Sequence, residues 1–380
     1  MDADSHRQKV FSTFEHLHAH PELSWEEVKT TEFIKKQLEA SGCRVQTFSD
    51  CTGVIGDFGK ASDDVPVIGI RADMDALWQE VDGKLQANHS CGHDAHMSIV
   101  LGVLWKLAAM PDLHNQIAVR FIFQPAEEVG TGALKLIDHG VVDELDYLFG
   151  IHLRPKEETP NGYATPAIIH GATYAIECEI LGDDAHGARP HLTSNAINIG
   201  THIVNALNTI HLDPTVPHSV KVTKFHSGGK NTNIIPGQAS LAIDLRAQTN
   251  KHMNLLKEKV YDVLTSTEQL FESKIVITND YGIPAAEVNP IAEMICKQAI
   301  EHAIGKEYAM PPLITPGGDD FHFYTIKHPT LKASMIGLGC DLQPGLHHPN
   351  MSFDKEALLH GIDILTEMIL LASRNKKVKN

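Results

Sequence analysis

The chain has 380 residues, 42% of them hydrophobic, and its 32 Lys plus Arg against 48 Asp plus Glu leave a formal charge of −16. That length exceeds one ordinary core and that apolar share excludes a disordered chain, so two domains or one large α/β unit are expected. The acidic balance argues against a nucleic-acid or anionic-membrane partner, and no run of about 18 apolar residues is present to span a bilayer.

The opening MDADSHRQKV has no apolar signal region, so a cytoplasmic location is expected. Val10, Phe11, Phe14 and Leu17 then mark one face of a first helix that Pro21 ends. Ser24 and Glu27 have capping-box spacing ahead of a second helix, with Val28, Phe33, Ile34 and Leu38 as its buried stripe and Gly42 as its stop. Strands and helices alternate from there. PVIGI (66–70) leads into RADMDAL, a helix is expected over 95–110, IAVRFIF (117–123) leads into QPAEE, a helix suits 131–139, and YLFGI (147–151) leads into HLRP. This alternation predicts an α/β domain with a mainly parallel sheet covered by helices. Each polar cluster begins where an apolar strand ends, the place where sites collect in open α/β sheets.

The middle of the chain changes rhythm. Strands near 174–181, 219–225, 239–246 and 274–278, with helices over 196–210 and 252–271, follow the β-α-β-β-α-β order of a ferredoxin-like unit. The expected division is therefore 1–169 with 283–380 as one domain and 170–282 as a second, inserted one. The last part holds a helix near 287–304, a strand near 331–337 and a helix from Lys355, and the terminal RNKKVKN reads as a solvated tail.

Six cysteines at 43, 51, 91, 178, 296 and 340 show no CxxC pair, which argues against a disulfide scaffold or a zinc ribbon. The 24 histidines are an unusually rich supply of imidazole. In Ser90-Cys91-Gly92-His93-Asp94-Ala95-His96 a thiol and an imidazole flank a glycine, so both can approach one ion from a tight turn, a donor pair that suits zinc or a related first-row metal. Glu127 and Glu128 are adjacent carboxylates at a strand end, able to divide the work of ligating a metal and taking a proton from a metal-activated water. His152 follows another strand, His347-His348-Pro349 follows Gly345, and Arg71-Ala72-Asp73-Met74-Asp75 offers a carboxylate to orient a ligand imidazole. Each has a plainer reading as well: a buried Cys beside a surface His, an acidic first helical turn, a hydrogen-bonded structural His, a loop with two exposed imidazoles, an Arg71–Asp salt bridge. Together, ligand-type residues after successive strands point to a metal site. Cys91, His93, Glu128, His152 and one of His347 and His348 make five ligands, more than one tetrahedral zinc needs and enough for two ions with a shared ligand.

HAHPELSWEE (18–27), RADMDAL (71–77), SCGHDAH (90–96), FIFQPAEE (121–128), GIHLRP (150–155), PGGDDF (316–321) and LHHPN (346–350) are spread over nearly the whole chain. In this order they resemble the amidohydrolase branch of the aminoacylase/carboxypeptidase metallohydrolase family, the group of hippurate hydrolases, N-acetyl-amino-acid deacetylases and indole-acetyl-amino-acid hydrolases. The resemblance implies a metal-dependent amidohydrolase that cuts N-acyl amino acids, a catalytic α/β domain with an inserted ferredoxin-like lid that also forms a homodimer, and two divalent ions, zinc or manganese, per subunit. It implies Cys91, His93, Glu128, His152 and His347 as ligands, His347 being chosen over His348 by a His-x-Pro pattern. It implies Glu127 as general base, Asp73 as the aspartate that orients the metal site, and His186 of Asp184-Ala185-His186-Gly187-Ala188 as support for the oxyanion. Asn233 of Asn231-Thr232-Asn233-Ile234-Ile235-Pro236 and Arg246 are the implied substrate contacts, a lid salt bridge being the alternative for Arg246.

Three stretches depart from the family pattern. The segment between RADMDAL and SCGHD is short, Asp183-Asp184 stand where the family has Gly-Gly, and Asp319 is one methylene shorter than the usual Glu. A dipeptidase or carboxypeptidase use of the same site, and a non-catalytic metal-binding protein, remain as alternatives. Neither GxGxxG nor GxxxxGK[ST] occurs, which argues against nucleotide binding.

Overall fold

A computed structural model describes residues 2–62 and 64–375. The chain falls into two compact units, one of residues 1–169, 287–313 and 320–380, the other of residues 170–286 and 314–319. Residues 283–286 and 314–319, expected with the first domain, cluster with the second.

The first unit is built on strand Val67–Asp73, buried along its whole length. Such a run, apolar on both faces, needs cover on both sides, the condition of a parallel strand at the centre of a sheet. Ala118–Gln124 and Tyr147–Pro155 flank it in parallel, and Lys332–Leu342 extends the parallel set. The edges run the other way: Val54–Gly59 is antiparallel to Ala118–Gln124, Arg44–Thr47 to Val54–Gly59, and Ala164–Thr165 to Lys332–Leu342. The result is a seven-stranded sheet with a parallel centre and antiparallel edges.

Helix His93–Ala108 is buried on nearly every side and packs on helices Ala3–His18 and Ala357–Arg374 as well as on the sheet. Helix Val28–Ala40 differs from expectation. Ser24 donates to the Asp75 carboxylate instead of capping the helix, Glu27 points inward, and Val28 is 64% exposed, leaving Thr30, Ile34 and Leu38 as the buried stripe. The short stretch after RADMDAL is a hairpin, Leu77–Val81 against Lys84–Asn88. Its turn residues Asp82 and Gly83 have φ of 51° and 78°, the left-handed pair that a two-residue hairpin turn requires.

The second unit has a four-stranded antiparallel sheet in the order His218–Ser227, Ala239–Ala247, Ala172–Leu181, Lys274–Ile283, with helices Ala196–Leu207 and Asn250–Phe271. This is the ferredoxin-like arrangement. Ala239–Ala247 alternates buried and less buried residues along its length, and Met253, Leu256, Val260 and Leu264 repeat at helical spacing over the same core as Ile176, Leu241, Ile243 and Leu245. No helix among the described residues is long and apolar enough to cross a membrane. Lys376–Asn380 of the expected solvated tail lie outside the described residues.

Candidate metal centre

Three loops after strands and one strand of the first unit place the donors, the strand at 147 running on to Pro155 so that His152 lies inside it and not after it. Gly92 has φ 86°, a backbone position that glycine takes at little cost, and this turn lets Cys91 leave one side while His93 opens the buried helix behind it. Glu127 and Glu128 follow strand Ala118–Gln124, and His152 lies within strand Tyr147–Pro155. His347 has φ 63° and is pinned by both backbone groups, its N–H donating to Ser90 O at 2.7 Å and its C=O accepting from Gln79 Nε2 at 2.8 Å. This brings its Nε2 to 3.6 Å from Glu128 Oε1, whereas His348 turns its Nδ1 to accept from Asn350 N–H. The donor atoms of Cys91, His93 and His152 lie within 4.8 Å of one another, and so do those of Cys91, Glu128 and His347. Cys91 belongs to both sets. A third set, His93, Glu127 and Glu128, places Glu127 beside them.

The hydrogen bonds prepare the imidazoles as ligands. His93 Nδ1–H donates to Asp75, with O at 2.9 Å and Oδ1 at 3.2 Å, and His152 Nδ1–H donates to Leu153 O at 2.7 Å, so each ring turns Nε2 toward Cys91. His93 Nε2 and Glu128 Oε1 are buried and have no hydrogen-bond partner, which is costly unless a cation meets them. Burial, His96 and Arg154 press the His152 pKa well down, which leaves the neutral, ligating imidazole. Burial and Glu128 push the Cys91 thiol well up, so it ionises only when a strong positive charge arrives. Burial likewise raises the Glu128 carboxyl, against the pull of His93 and His347. Orphaned donors, a neutral His152 imidazole and a thiol awaiting a cation fit divalent metal ions, and the two donor sets around Cys91 fit a pair.

A model of peptidase family M20/M25/M40 matches residues 69–371. The chain belongs to this family. It is 31% identical over 363 residues to the N-acetyl-L-cysteine deacetylase of Bacillus subtilis, covering 93% of this chain and 85% of that protein. It is 28% identical over 381 residues to IAA-amino acid hydrolase ILR1-like 4 of Arabidopsis thaliana, covering 93% and 83%. The fold matches a dinuclear metal binding peptidase of the M20 family from Bacillus subtilis with a TM-score of 0.80 at 24% identity, over 98% of this chain and 100% of that one. The protein is accordingly a metal-dependent amidohydrolase.

In this M20 chain the carboxylate on His93 Nδ1 is that of Asp75, not Asp73. Asp73 lies on the other side of the ring, 3.7 Å from His93 Nε2, held by Arg71 Nη1 at 2.6 Å and His96 Nδ1 at 2.6 Å. Burial opposes its charge, but His93, Arg71 and His96 hold its pKa well below the ordinary carboxylate value. His96 was not singled out by sequence, although its place one helical turn after His93 was a usable signal. Its Nε2 accepts from Leu153 N–H, so Nδ1 carries the proton given to Asp73. Arg71 also binds Gln124 and Asp320, so the salt bridge foreseen for it exists inside a larger buried network.

The remaining family-implied residues lie in the second unit. His186 and Asn233 are brought together: Ala185–His186 pairs with Ile234–Ile235, and Gly187 N–H donates to Asn233 O at 2.7 Å. His186 Nδ1 accepts from Ala188 N–H, which leaves its proton on Nε2. Asp184 is occupied in accepting from Gly237 N–H at 2.9 Å. Arg246 donates to Asp244 through Nε and Nη2, the salt bridge weighed above, and lines a hollow of about 230 Å³ with His218 and Pro316.

Proposed function

We propose that the protein hydrolyses the amide bond of N-acyl amino acids, with two divalent ions held by Cys91, His93 and His152 and by Cys91, Glu128 and His347. The observation that carries this reading is the pair of donor sets meeting at Cys91 with the Glu127 carboxylate next to them, 3.9 Å from His93 Nε2. When bound, such ions supply Lewis acidity and lower the pKa of water toward neutrality. Glu127 takes the proton of the attacking water on its carboxylate and delivers it to the departing nitrogen. Asp75 and Leu153 fix the two imidazole tautomers throughout. Asp73, with Arg71 and His96 behind it, adds negative charge that favours a dication. His186, with its proton on Nε2, is suited to donate to the oxyanion. Asn233 beside it and Arg246 are the proposed contacts for amide and carboxylate of the substrate. A homodimer through the second unit is part of this reading, supported by strand His218–Ser227, which stands at the edge of its sheet. The mixed thiol, imidazole and carboxylate donors favour zinc or manganese.

Elemental analysis of the purified protein, followed by amino-acid release from N-acetyl, N-benzoyl and indole-acetyl conjugates and from dipeptides, tests the proposal. Two divalent ions per chain and chelator-sensitive release from the acyl conjugates are expected. Turnover confined to dipeptides, or activity indifferent to chelator in a metal-free protein, overturns it.

A further inference from the structure

Glu127 lies between two backbone N–H groups that are each held by a buried carboxylate from elsewhere in the chain. On one side Glu128 N–H donates to Asp75 Oδ2 at 3.0 Å, and Asp75 is steadied by the Ser24 hydroxyl at 2.7 Å. On the other side Ala126 N–H donates to Glu27 Oε1 at 2.8 Å, and Glu27 Oε2 accepts from the Thr52 hydroxyl at 2.6 Å. Ala126 is the residue in need of an anchor: it has φ 53°, a left-handed conformation that an alanine avoids, and it is fully buried. The segment has little room to relax elsewhere, since a Cβ on Gly53 would meet Pro125 Cδ at 2.7 Å and one on Gly132 would meet Pro125 O at 1.7 Å. Glu27 is itself fully buried and has no place in the proton transfers above.

We infer that Glu27 is a positioning residue: its carboxyl group, braced by Thr52, holds Ala126 in the left-handed conformation that aims Glu127 at the reacting water and Glu128 at its ion. The inference rests on the roles proposed for Glu127 and Glu128. A neutral side chain with the same shape can do the same work, because Oε1 need only accept from Ala126 N–H while the other terminal atom donates to Thr52 Oγ1.

The test compares Glu27→Ala, Glu27→Gln and the double variant Glu27→Ala/Ala126→Gly with the parent enzyme. Metal affinity is read by competition with a chromophoric chelator, and kcat and KM by amino-acid release from N-acetyl substrates. Glu27→Ala is expected to lower kcat at least tenfold with KM changed less than threefold, and to weaken the more labile ion at least tenfold. Glu27→Gln is expected to stay within threefold of the parent in both. Ala126→Gly, which takes the left-handed conformation without strain, should recover part of the loss in the double variant. If Glu27→Ala does not fold, Glu27→Asp, whose carboxyl is one methylene further from Ala126, replaces it with the same expectations. Parent-like metal affinity and kcat in the folded Ala or Asp variant overturns the inference, and so does a Gln variant as impaired as Ala. An inactive parent would refute the substrate assignment alone, because the metal-affinity comparison stands without turnover.

Discussion

At the scale of single residues, the candidate centre is set by how the Nδ1 partners of His93 and His152 turn Nε2 of each ring toward Cys91. Asp75 and Leu153 use up the Nδ1 protons of His93 and His152, and Cys91 stands where both donor sets meet. Cys91→Ala should therefore lose more than one ion per chain, whereas His152→Ala should lose no more than one, as elemental analysis after gel filtration will show. Glu127→Gln should keep the parent metal content and lose about 10²–10⁴ in kcat, the usual contribution of a general base; a loss under threefold would remove Glu127 from that role. Glu27 gives a pH prediction. Burial above all, with Asp75 adding to it and Thr52 and Ala126 opposing, raises its pKa from 4.5 to about 7. A carboxyl whose folded pKa lies above its unfolded one favours the folded state fully at low pH, and that contribution is lost as pH rises from 4.5 through 7. In chelator-treated protein, the melting temperature of the parent relative to Glu27→Gln should fall across this window and level off above it. A difference independent of pH would contradict the shift.

At the scale of elements, strand Ala118–Gln124 ends in a turn carrying Glu127 and Glu128 whose shape depends on close backbone approach. Helix Gly132–Asp138 begins against the Pro125 carbonyl, where an added Cβ would come within 1.7 Å. Gly132→Ala must push back the segment that carries Glu127, so kcat should fall together with stability, by about 1–3 kcal/mol for an overpacked site, read from urea unfolding. Elements with strong periodicity were legible: strand Val67–Asp73, helix His93–Ala108 and the six elements of the ferredoxin-like unit appear in their expected order, although strand Lys274–Ile283 runs well past its expected end at 278. Elements with weak or misleading local signals were not. Arg44–Thr47 is a four-residue edge strand with Val54–Gly59 next to it, and Ser24 and Glu27 satisfy a capping spacing while being drawn to Asp75 and Ala126 by the tertiary fold.

At the scale of the whole molecule, the two units have separate apolar cores, and all five candidate ligands belong to the first. Differential scanning calorimetry should resolve two transitions, of which only one responds to metal. Free ion at about 100 times its dissociation constant should stabilise that transition by about 2.7 kcal/mol, and chelator should remove the gain. A chelator shift of equal size in both transitions would refute this independence.

The amino-acid sequence by itself determined the fold class, the order of the elements and the kinds of donor present, because hydrophobic period and side-chain chemistry are local properties written at each position. The preference for His347 over His348 came from the family resemblance, through its His-x-Pro pattern. Only the tertiary structure decided which donors share Cys91, that Asp75 and not Asp73 holds His93 Nδ1, that His96 braces Asp73, and that Glu27 turns inward to Ala126. Those choices rest on contacts between residues 18 to 256 positions apart, and distances of a few ångströms across such separations are set by how the strands pack side by side, which no short stretch of sequence encodes.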